Sequence, residues 1–552
     1  MSRRRRSSMA TFELEPEELR ADDPRADDPR GPDEDAPGPG ERLGAALRRV
    51  RPRTWAVVAG AVVGAVVLAG AGTAVGNALA ERHRLALLAA APGGVLDVAA
   101  VVSGAGGWSV DTDSGVLAVL TGGVVVVQDG ADAVGLDATT GAEVWRETLG
   151  SLVECGPTPY SPADWATPVE QVVCLSGEDT DRTVTVVAAD GTVVGSRGLG
   201  DVSDLVVAPA AGGSLFVVEP DGPLPAPRTV AGDGAVEGAL RTLDAPGSHA
   251  RFEDALTGTP TEPVAIPFAP RDSELCVGWV DDDVQLTFDG YMILSSPRLV
   301  EFARCGAQLV AAPPGADAMA PLVGTPSGDQ EVTPSVDGGV VVPQEDGRTR
   351  LTALGGADVL LPGVLLDPDA TDGTVGPRLV LTTDGLEALE PDDLTGDPLW
   401  VRPRPGAGGS DAGVVDDGTE VLVRTADAVL LQEATGALVG LDRDTGAERW
   451  RVTEPVDGWQ DERWLQDVVT DGHDALLMVV VPDGGLTWVR LDLATGEVRQ
   501  ADARDGSASA AVGAVDGTLL LRTSTGTGSI DDVGGGIVVH RDPGSLQGAG
   551  RA

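Results

Sequence analysis

The chain has 552 residues, with 75 glycines, 39 prolines, only 3% aromatic residues and a formal charge of −47. Because a protein this acidic repels nucleic acid, anionic lipid and other polyanions, the composition argues against a nucleic-acid-binding protein. The length is sufficient for several domains or for one large repeat array. There is no lysine, and Asn77 is the only asparagine.

Residues 1–53 begin with an arginine cluster and continue as an acidic, proline-rich run. Because they offer almost no apolar side chains to bury, the sequence predicts a disordered tail. The arginines Arg3–Arg6 lie too far from the nearest hydrophobic stretch to act as a twin-arginine export signal.

Residues 54–80 contain no charged side chain. This stretch is longer than the roughly 20 residues that cross a bilayer core, and it predicts one uncleaved transmembrane helix. Arginines cluster before it, at Arg42, Arg48, Arg49, Arg51 and Arg53. The positive-inside rule therefore places residues 1–53 in the cytoplasm and the rest outside, with 81–94 as a juxtamembrane linker and 95–545 as an ectodomain.

The ectodomain consists of short apolar segments separated by Gly, Asp and Pro turns, which predicts an all-β fold. Candidate strands are residues 116–127, 183–188, 214–218, 284–288, 339–342, 379–382, 420–424, 475–481 and 518–522. A sandwich, a barrel and a propeller all use such strands, but only a propeller accommodates about 450 residues of self-similar hairpins as one unit.

The internal repeat is clearest between residues 125–145 and residues 429–450, which share Gly-Leu-Asp, Thr-Gly and a final Trp. In this pattern Asp and Thr bond backbone amides of a turn, Gly supplies the positive φ, and Trp four residues later offers a large apolar face. The motif residues are Asp137, Thr140, Gly141 and Trp145; Asp392, Thr395, Gly396 and Trp400; and Asp442, Thr445, Gly446 and Trp450. Partial copies without the Trp are Asp492, Thr495 and Gly496, and Asp254, Thr257 and Gly258.

At these residues the chain resembles the pyrroloquinoline-quinone (PQQ) repeat family, the quinoprotein alcohol dehydrogenase-like β-propellers. The resemblance implies four-stranded blades arranged radially, with the motif Trp of one blade against the next. Asp392, Asp442 and Asp492 follow one another at intervals of fifty residues, a plausible blade length that gives about eight blades, with seven as the alternative. Residues 518–522 and 536–540 are expected to complete the blade that begins near residues 95–127.

Four cysteines, Cys155, Cys174, Cys276 and Cys305, lie on the predicted outer side. An even number in an oxidising compartment predicts disulfides. Of the three connectivities, we expect the local one, Cys155 with Cys174 and Cys276 with Cys305. Their spacing fits no zinc motif.

The resemblance also implies what an enzyme of this family would need: a metal held by carboxylate and asparagine ligands, a catalytic Asp, and cations on the quinone. The only asparagine lies in the predicted membrane span, no two cysteines are adjacent, and lysine is absent. Nucleophile-elbow, zinc-protease and phosphate-loop motifs are also absent. We therefore predict no enzyme and no catalytic, cofactor-binding or metal-binding residue.

The sequence thus predicts a non-catalytic, membrane-anchored extracellular β-propeller that acts as a protein-interaction scaffold at the bacterial cell envelope. The expected partners are the membrane and an unidentified envelope protein, with no nucleic acid. The alternative is a divergent quinone- or calcium-dependent oxidoreductase of the quinoprotein dehydrogenase type. The expected architecture is similar to that of a propeller lipoprotein of outer-membrane assembly, which is an analogy of fold and identifies no partner.

Overall fold

The computed structural model describes residues 77–103, 107–112, 114–223, 228–230, 246–267, 277–280, 283–286, 291–304, 307–312, 322–324, 333–335, 339–344, 348–352, 358–403, 418–456, 459, 465–480, 486–500, 512–524, 530–533, 536–539 and 544–549. The predicted tail and residues 54–76 of the predicted membrane span lie outside these ranges. Within them, no helix has both the length and the apolar character needed to cross a membrane.

Three short helices are described. Helix α1 (residues 77–89) occupies most of the stretch predicted as a linker. Helix α2 (Val98–Ser103) follows it, and α3 (Pro162–Trp165) lies between two strands. Ser161 caps α3, because its hydroxyl accepts from the amide of Asp164 while the Asp164 carboxylate accepts from the Ser161 amide.

The remaining elements are strands. The first group is β1 (Trp108–Thr112), β2 (Ala118–Leu120), β3 (Val124–Asp129), β4 (Asp132–Asp137), β5 (Glu143–Thr148), β6 (Glu154–Gly156), β7 (Gln171–Ser176), β8 (Arg182–Ala188), β9 (Val193–Gly200), β10 (Val206–Ala210), β11 (Ser214–Pro220), β12 (Arg228–Val230), β13 (Ser248–Asp254) and β14 (Val264–Ile266). The second group is β15 (Val277–Val280), β16 (Asp283–Leu286), β17 (Met292–Ser295), β18 (Val300–Arg304), β19 (Ala307–Ala311), β20 (Leu322–Gly324), β21 (Thr333–Pro334), β22 (Val340–Pro343), β23 (Thr349–Thr352), β24 (Asp358–Leu361), β25 (Val364–Leu366), β26 (Ala370–Thr371), β27 (Arg378–Leu381), β28 (Gly385–Leu389) and β29 (Trp400–Pro403).

The last group is β30 (Glu420–Arg424), β31 (Ala428–Gln432), β32 (Leu438–Asp442), β33 (Glu448–Val452), β34 (Leu465–Thr470), β35 (Asp474–Val480), β36 (Leu486–Asp492), β37 (Val498–Gln500), β38 (Val512–Val515), β39 (Thr518–Ser524), β40 (Ile530–Val533), β41 (Gly536–Val539) and β42 (Gly544–Ala549).

Nine sheets of the described residues, named here A to I in chain order, each contain a run of four antiparallel strands. They are A (β2–β5), B (β6–β9), C (β10, β11, β13, β14), D (β17–β20), E (β21–β24), F (β25, β27–β29), G (β30–β33), H (β34–β37) and I (β38, β39, β42, β1). In sheet G, β26 adds a fifth strand that pairs with β30 in parallel. A three-stranded sheet (β12, β16, β15) and the hairpin β40–β41 complete the described strands.

The core lies between the sheets. One buried apolar cluster joins each sheet to the next, from A through I. A further cluster joins sheet I back to sheet A and includes Leu520 of β39 and Val125 of β3. Because the second and third strands are covered on both faces, strands such as β31 and β32 are buried almost throughout, whereas the outer strand β9 alternates towards solvent.

Two sequence-based expectations need correction. The predicted number of four-stranded units, about eight or seven, is too low, because the described residues form nine. The excess arises in the middle of the chain, where sheets E and F begin at Thr333 and Val364, much closer than the fifty-residue spacing assumed. Residues 536–540 were expected in the last sheet, but β41 pairs with β40, and β42 fills that place beside the N-terminal strand β1.

Candidate functional site

The most regular feature of the molecule is a contact between each of four tryptophans and the next sheet. Each ring lies on the outer strand of one sheet and donates its Nε1–H to a backbone carbonyl of a turn in the following sheet. The pairs are Trp108 with Ala138 (3.2 Å), Trp145 with Ala189 (3.1 Å), Trp400 with Arg443 (2.8 Å) and Trp450 with Leu493 (3.0 Å). Trp145 and Trp400 are buried, and such rings contribute large apolar contact areas together with one satisfied donor.

Two glycines make room for the ring of Trp450. Gly440 pairs with Trp450 across strands β32 and β33, and a Cβ there would lie 2.1 Å from the indole. On the other side of the contact, a Cβ on Gly496 (φ +73°) would lie 2.6 Å from the same indole. The glycines of the repeat therefore serve ring packing as well as turn geometry.

The Asp and Thr residues of the repeat hold the turn that receives the ring. The Asp442 Oδ1 atom accepts from the Thr445 amide (3.0 Å) and the Thr445 hydroxyl (2.8 Å). Asp137 makes the same bonds with Thr140, and Asp492 accepts from the amide of Thr495. Hydrogen bonds from the Arg449 guanidinium, which has the larger effect, and from the Thr445 hydroxyl lower the pKa of Asp442 to about 2.

The copy at residues 392–396 departs from this geometry. Here the Thr395 hydroxyl approaches Asp393 (3.4 Å), not the predicted Asp392, and the backbone of Asp393 bridges to Glu390. The Gly396 backbone does not take a positive φ. The spacing in the sequence is therefore the same, while the turn itself is different.

Sequence reasoning missed two members of the series. Trp108 lies outside the motif because its sheet is assembled from both chain ends, so no turn precedes it in sequence. Arg197 occupies the same position between sheets B and C, where its Nε donates to the carbonyl of Ala255 (2.9 Å) and a Cβ on Gly258 would lie 2.2 Å from the guanidinium. The partial copy at Asp254 and Thr257 indicated the receiving turn, but nothing in the sequence marked its donor.

The predicted disulfide between Cys155 and Cys174 is confirmed. The two residues pair directly across β6 and β7, the two innermost strands of sheet B, with an S–S distance of 2.02 Å. Both are buried. Cys276 and Cys305 lie outside the described residues, so their pairing stays a prediction.

A group of carboxylates lies at the inner edge of sheets G and H. Asp369 precedes β26, Glu420 begins β30, and Asp467 lies on β34. Asp369 is exposed to solvent, and the protein around it, followed by the charges on Glu420 and Asp367, raises its pKa. Burial and the charge of Asp369 raise the pKa of Asp467 to about 8.

This group does not fit the metal and quinone of the dehydrogenases in the resembled family. In the part of the chain that the structure describes, no three His, Cys, Asp or Glu side chains lie close enough together to hold a metal ion.

Comparison with known proteins supports the repeat assignment. Residues 322–455, about a quarter of the chain, match the PQQ_2 family model, described as outer membrane protein assembly factor BamB. The resemblance to PQQ-repeat proteins is thereby confirmed over the stretch that contains sheets E, F and G. No curated protein matches the chain.

Several solved structures are similar over much of the chain. BamB from Moraxella catarrhalis is 11% identical, with 80% of this chain and 98% of that chain covered and a TM-score of 0.32. The quinohemoprotein alcohol dehydrogenase ADHIIG from Pseudomonas putida HK5 is 12% identical, with 81% and 76% covered and a TM-score of 0.31. A europium-containing methanol dehydrogenase is 13% identical, with 80% and 92% covered and a TM-score of 0.31. At these scores the likenesses assign neither a function nor a partner.

Proposed function

We propose that the nine sheets form a closed β-propeller, anchored by a membrane helix at residues 54–80, that acts as a non-catalytic protein-interaction scaffold at the bacterial cell envelope. The observation that supports the propeller is the closed series of apolar clusters, in which sheet I packs against sheet A. Closure also joins the chain ends, because β1 pairs with β42. A closed series leaves only short, protected edges and presents its connecting loops as broad surfaces.

The scaffold role is supported by where the regular residues lie. The repeated Trp rings bond the next sheet, and the repeated Asp and Thr side chains bond their own turn, so these residues serve packing and turn geometry. The matching family model is described as an assembly factor. For this chain we therefore propose that the loops of the propeller bind another envelope protein, and that the interaction requires no chemistry.

The absence of lysine permits a sharp test. A zero-length carbodiimide reagent joins carboxylates to amines, so the many carboxylates of this chain can couple to lysines of a bound partner, whereas internal links are limited to the N-terminal amine. In cells that express the full-length chain with an affinity tag, we expect discrete adducts with one envelope protein. A chain ending at residue 94 is the matched control and should give none.

Two outcomes would contradict the proposal. The first is a set of adducts shared with the truncated control. The second is reconstitution of the purified full-length chain with PQQ and calcium that gives quinone absorbance and substrate-dependent reduction. That result would establish the oxidoreductase alternative.

The topology is tested separately. Protease added to cells stripped of their wall should degrade residues 95–545 and leave residues 1–53 intact, because the arginines before residue 54 favour a cytoplasmic tail. A protected ectodomain would show that the proposed orientation is wrong.

A further inference from the structure

Residues 84–98, here called the docked segment, run along three neighbouring sheets and are held there by backbone hydrogen bonds. The segment reaches sheets G, H and I in that order. The bonds join Pro92 with Thr371 (2.8 Å), Gly93 and Val95 with Thr470 (2.9 and 2.8 Å), and Leu96 with Gly517 (3.0 Å). Because each sheet makes at least one such bond, the segment has a fixed position on the sheets.

Contacts on either side of these bonds extend the docking in both directions. The Arg84 guanidinium donates to the carbonyl of Asp471 (3.0 Å), and the Asp471 carboxylate accepts from the amide of Val98 at the start of α2 (3.2 Å). The fit is close, since a Cβ on Gly373 (φ +79°) would lie 2.6 Å from the carbonyl oxygen of Leu87. The last turns of helix α1 are therefore fixed to the sheets as well.

The preceding turn of helix α1 has no such contact. Leu88 is only 1% exposed, whereas residues 79–83 are all exposed. Five consecutive helical residues cover more than one full turn, so no face of this turn packs against the sheets. The helix therefore leaves the sheets on its N-terminal side, towards residue 79.

The contacts of the docked segment all lie at one end of the sheets. In a run of four antiparallel strands, the turns after the first and third strands lie at one end, and the turn after the second lies at the other. Asp471 and Gly517 follow first strands, and the repeat turn at residues 443–447 follows a third strand. We call this the repeat end. The opposite end, with turns such as residues 382–384 and 433–437, is called the far end.

Neighbouring sheets point their repeat ends in the same direction. The Asp372 carboxylate, in the loop after the first strand of sheet F, accepts from the amide of Ala426 in the corresponding turn of sheet G (2.8 Å). Where sheet I meets sheet A, a Cβ on Gly123 would lie 2.4 Å from the carboxylate of Asp516, and both residues follow first strands. The repeat end is therefore a common side of these sheets.

We propose that the docked segment holds the propeller with its repeat end towards the membrane, so that the far end faces away from the bilayer and is the end that another envelope protein reaches. This inference rests on the proposed anchor at residues 54–80. It adds the direction in which the anchored sheets face, and with it the end of the propeller that binds.

The length of the chain supports this direction. Arg84 is bonded at the repeat end, and only residues 81–83 separate it from the proposed anchor, a distance of at most about 14 Å even in extended chain. The two ends of a sheet lie about 20 Å apart, since a five-residue strand with its turns rises about 3.3 Å per residue. While the segment stays docked, the repeat end is thus the nearer one to the point where the chain enters the bilayer.

Attraction to lipid would not produce this orientation. The turns of the repeat end carry exposed aspartates such as Asp427 and Asp444. Anionic lipid repels such groups. The direction therefore depends on the docked segment, and a change that frees the sheets from it should remove the preference.

The absence of lysine allows each end to be labelled separately, because one introduced lysine is the only side-chain amine. Asp444→Lys places it at the repeat end and Asp384→Lys at the far end, with the same charge change at an exposed turn. The full-length variants are labelled with an amine-reactive fluorescent donor and reconstituted into phosphatidylcholine vesicles that contain an acceptor-labelled lipid. The parent chain, labelled only at its N-terminal amine, gives the background.

We expect energy transfer to the lipid at least about twofold stronger from Asp444→Lys than from Asp384→Lys, because the two ends are about 20 Å apart. The matched control repeats both variants with about 20 Gly and Ser residues inserted after Ala80, a flexible linker that spans about 25 Å on average. The insertion leaves residues 84–98 unchanged but frees the sheets from the anchor, so the difference between the two labels should disappear.

Flotation of the vesicles on a density gradient separates the possible failures. Chains that do not float with the vesicles overturn the proposed anchor and this inference together. Chains that float but transfer equally from both labels, or more strongly from Asp384→Lys, overturn only this inference. A difference that survives the insertion also overturns it, because the docked segment would then not determine the direction. Asp427→Lys and Ala434→Lys, exposed at the two ends of sheet G, provide a second pair if a first variant does not fold.

Discussion

Sheets B and G each receive a tryptophan from the preceding sheet, but they contact the following sheet through different side chains. Sheet G receives Trp400 from sheet F and offers Trp450 to sheet H. Sheet B receives Trp145 from sheet A but offers Arg197 to sheet C. In both outgoing contacts a side-chain N–H reaches the carbonyl of the residue that follows the turn Asp, Leu493 in one case and Ala255 in the other.

In these two contacts the receiving turn is of the same kind and the donor differs. A guanidinium can donate to a carbonyl at the equivalent position, as an indole does, but it buries much less apolar surface. Sheet B also contains the disulfide between its two innermost strands. We infer that the tryptophan contacts of sheet G depend on apolar burial, whereas sheet B relies in part on a covalent tie.

The largest effect is expected at the tryptophan contacts. Trp400→Ala removes a ring that is 7% exposed and leaves its cavity between sheets F and G, which should cost about 3–5 kcal/mol in the free energy of unfolding. Denaturant unfolding of the full-length chain measures it. The adjacent residue Val401 is 46% exposed on the same strand, so Val401→Ala is the matched control and should change little. If Trp400→Ala and Val401→Ala unfold with the same free energy, burial of the tryptophan does not stabilise the contact between sheets F and G.

An intermediate effect is expected for the disulfide of sheet B. The double variant Cys155→Ala, Cys174→Ala opens a loop with a sequence separation of 19 and should lose about 3 kcal/mol in the chain-entropy account. Peptide mapping without reduction should show Cys155 joined to Cys174 in the parent chain. A double variant as stable as the parent would mean that sheet B does not depend on its covalent tie.

The smallest effect is expected at Arg197. Replacement by Ala removes one hydrogen bond to a backbone carbonyl and a partly exposed ion pair with Glu253, at a cost of about 1 kcal/mol. Arg499→Ala, at an exposed side chain on an outer strand, is the control and should cost less. A loss at Arg197 as large as that at Trp400 would show that donor chemistry, and not apolar burial, determines the strength of these contacts.

Much of the fold could be predicted from local sequence. The alternation of apolar and turn residues identified an all-β chain, and the repeat identified the turns and three of the four docking tryptophans. These features depend on residues near one another in the chain, where Asp, Thr and Gly determine the backbone of a tight turn. The pairing of Cys155 with Cys174 was predictable for the same reason, because neighbouring strands of one sheet bring them together.

The remaining features required the tertiary structure. Sheet I takes its outer strand β1 from the N-terminal part of the chain and therefore has no turn before that strand, which explains why Trp108 stands without the motif. The number of sheets also escaped prediction, because sheets E and F are shorter than the repeat that sets the period.

The sequence by itself determined the strand class, the turns of the repeat and the local disulfide, because each is encoded by a few neighbouring residues. Only the tertiary structure decided which side chain meets each turn and how the chain ends join. Those contacts join residues tens to hundreds of positions apart. Their geometry depends on the packing of whole sheets, which no local pattern specifies.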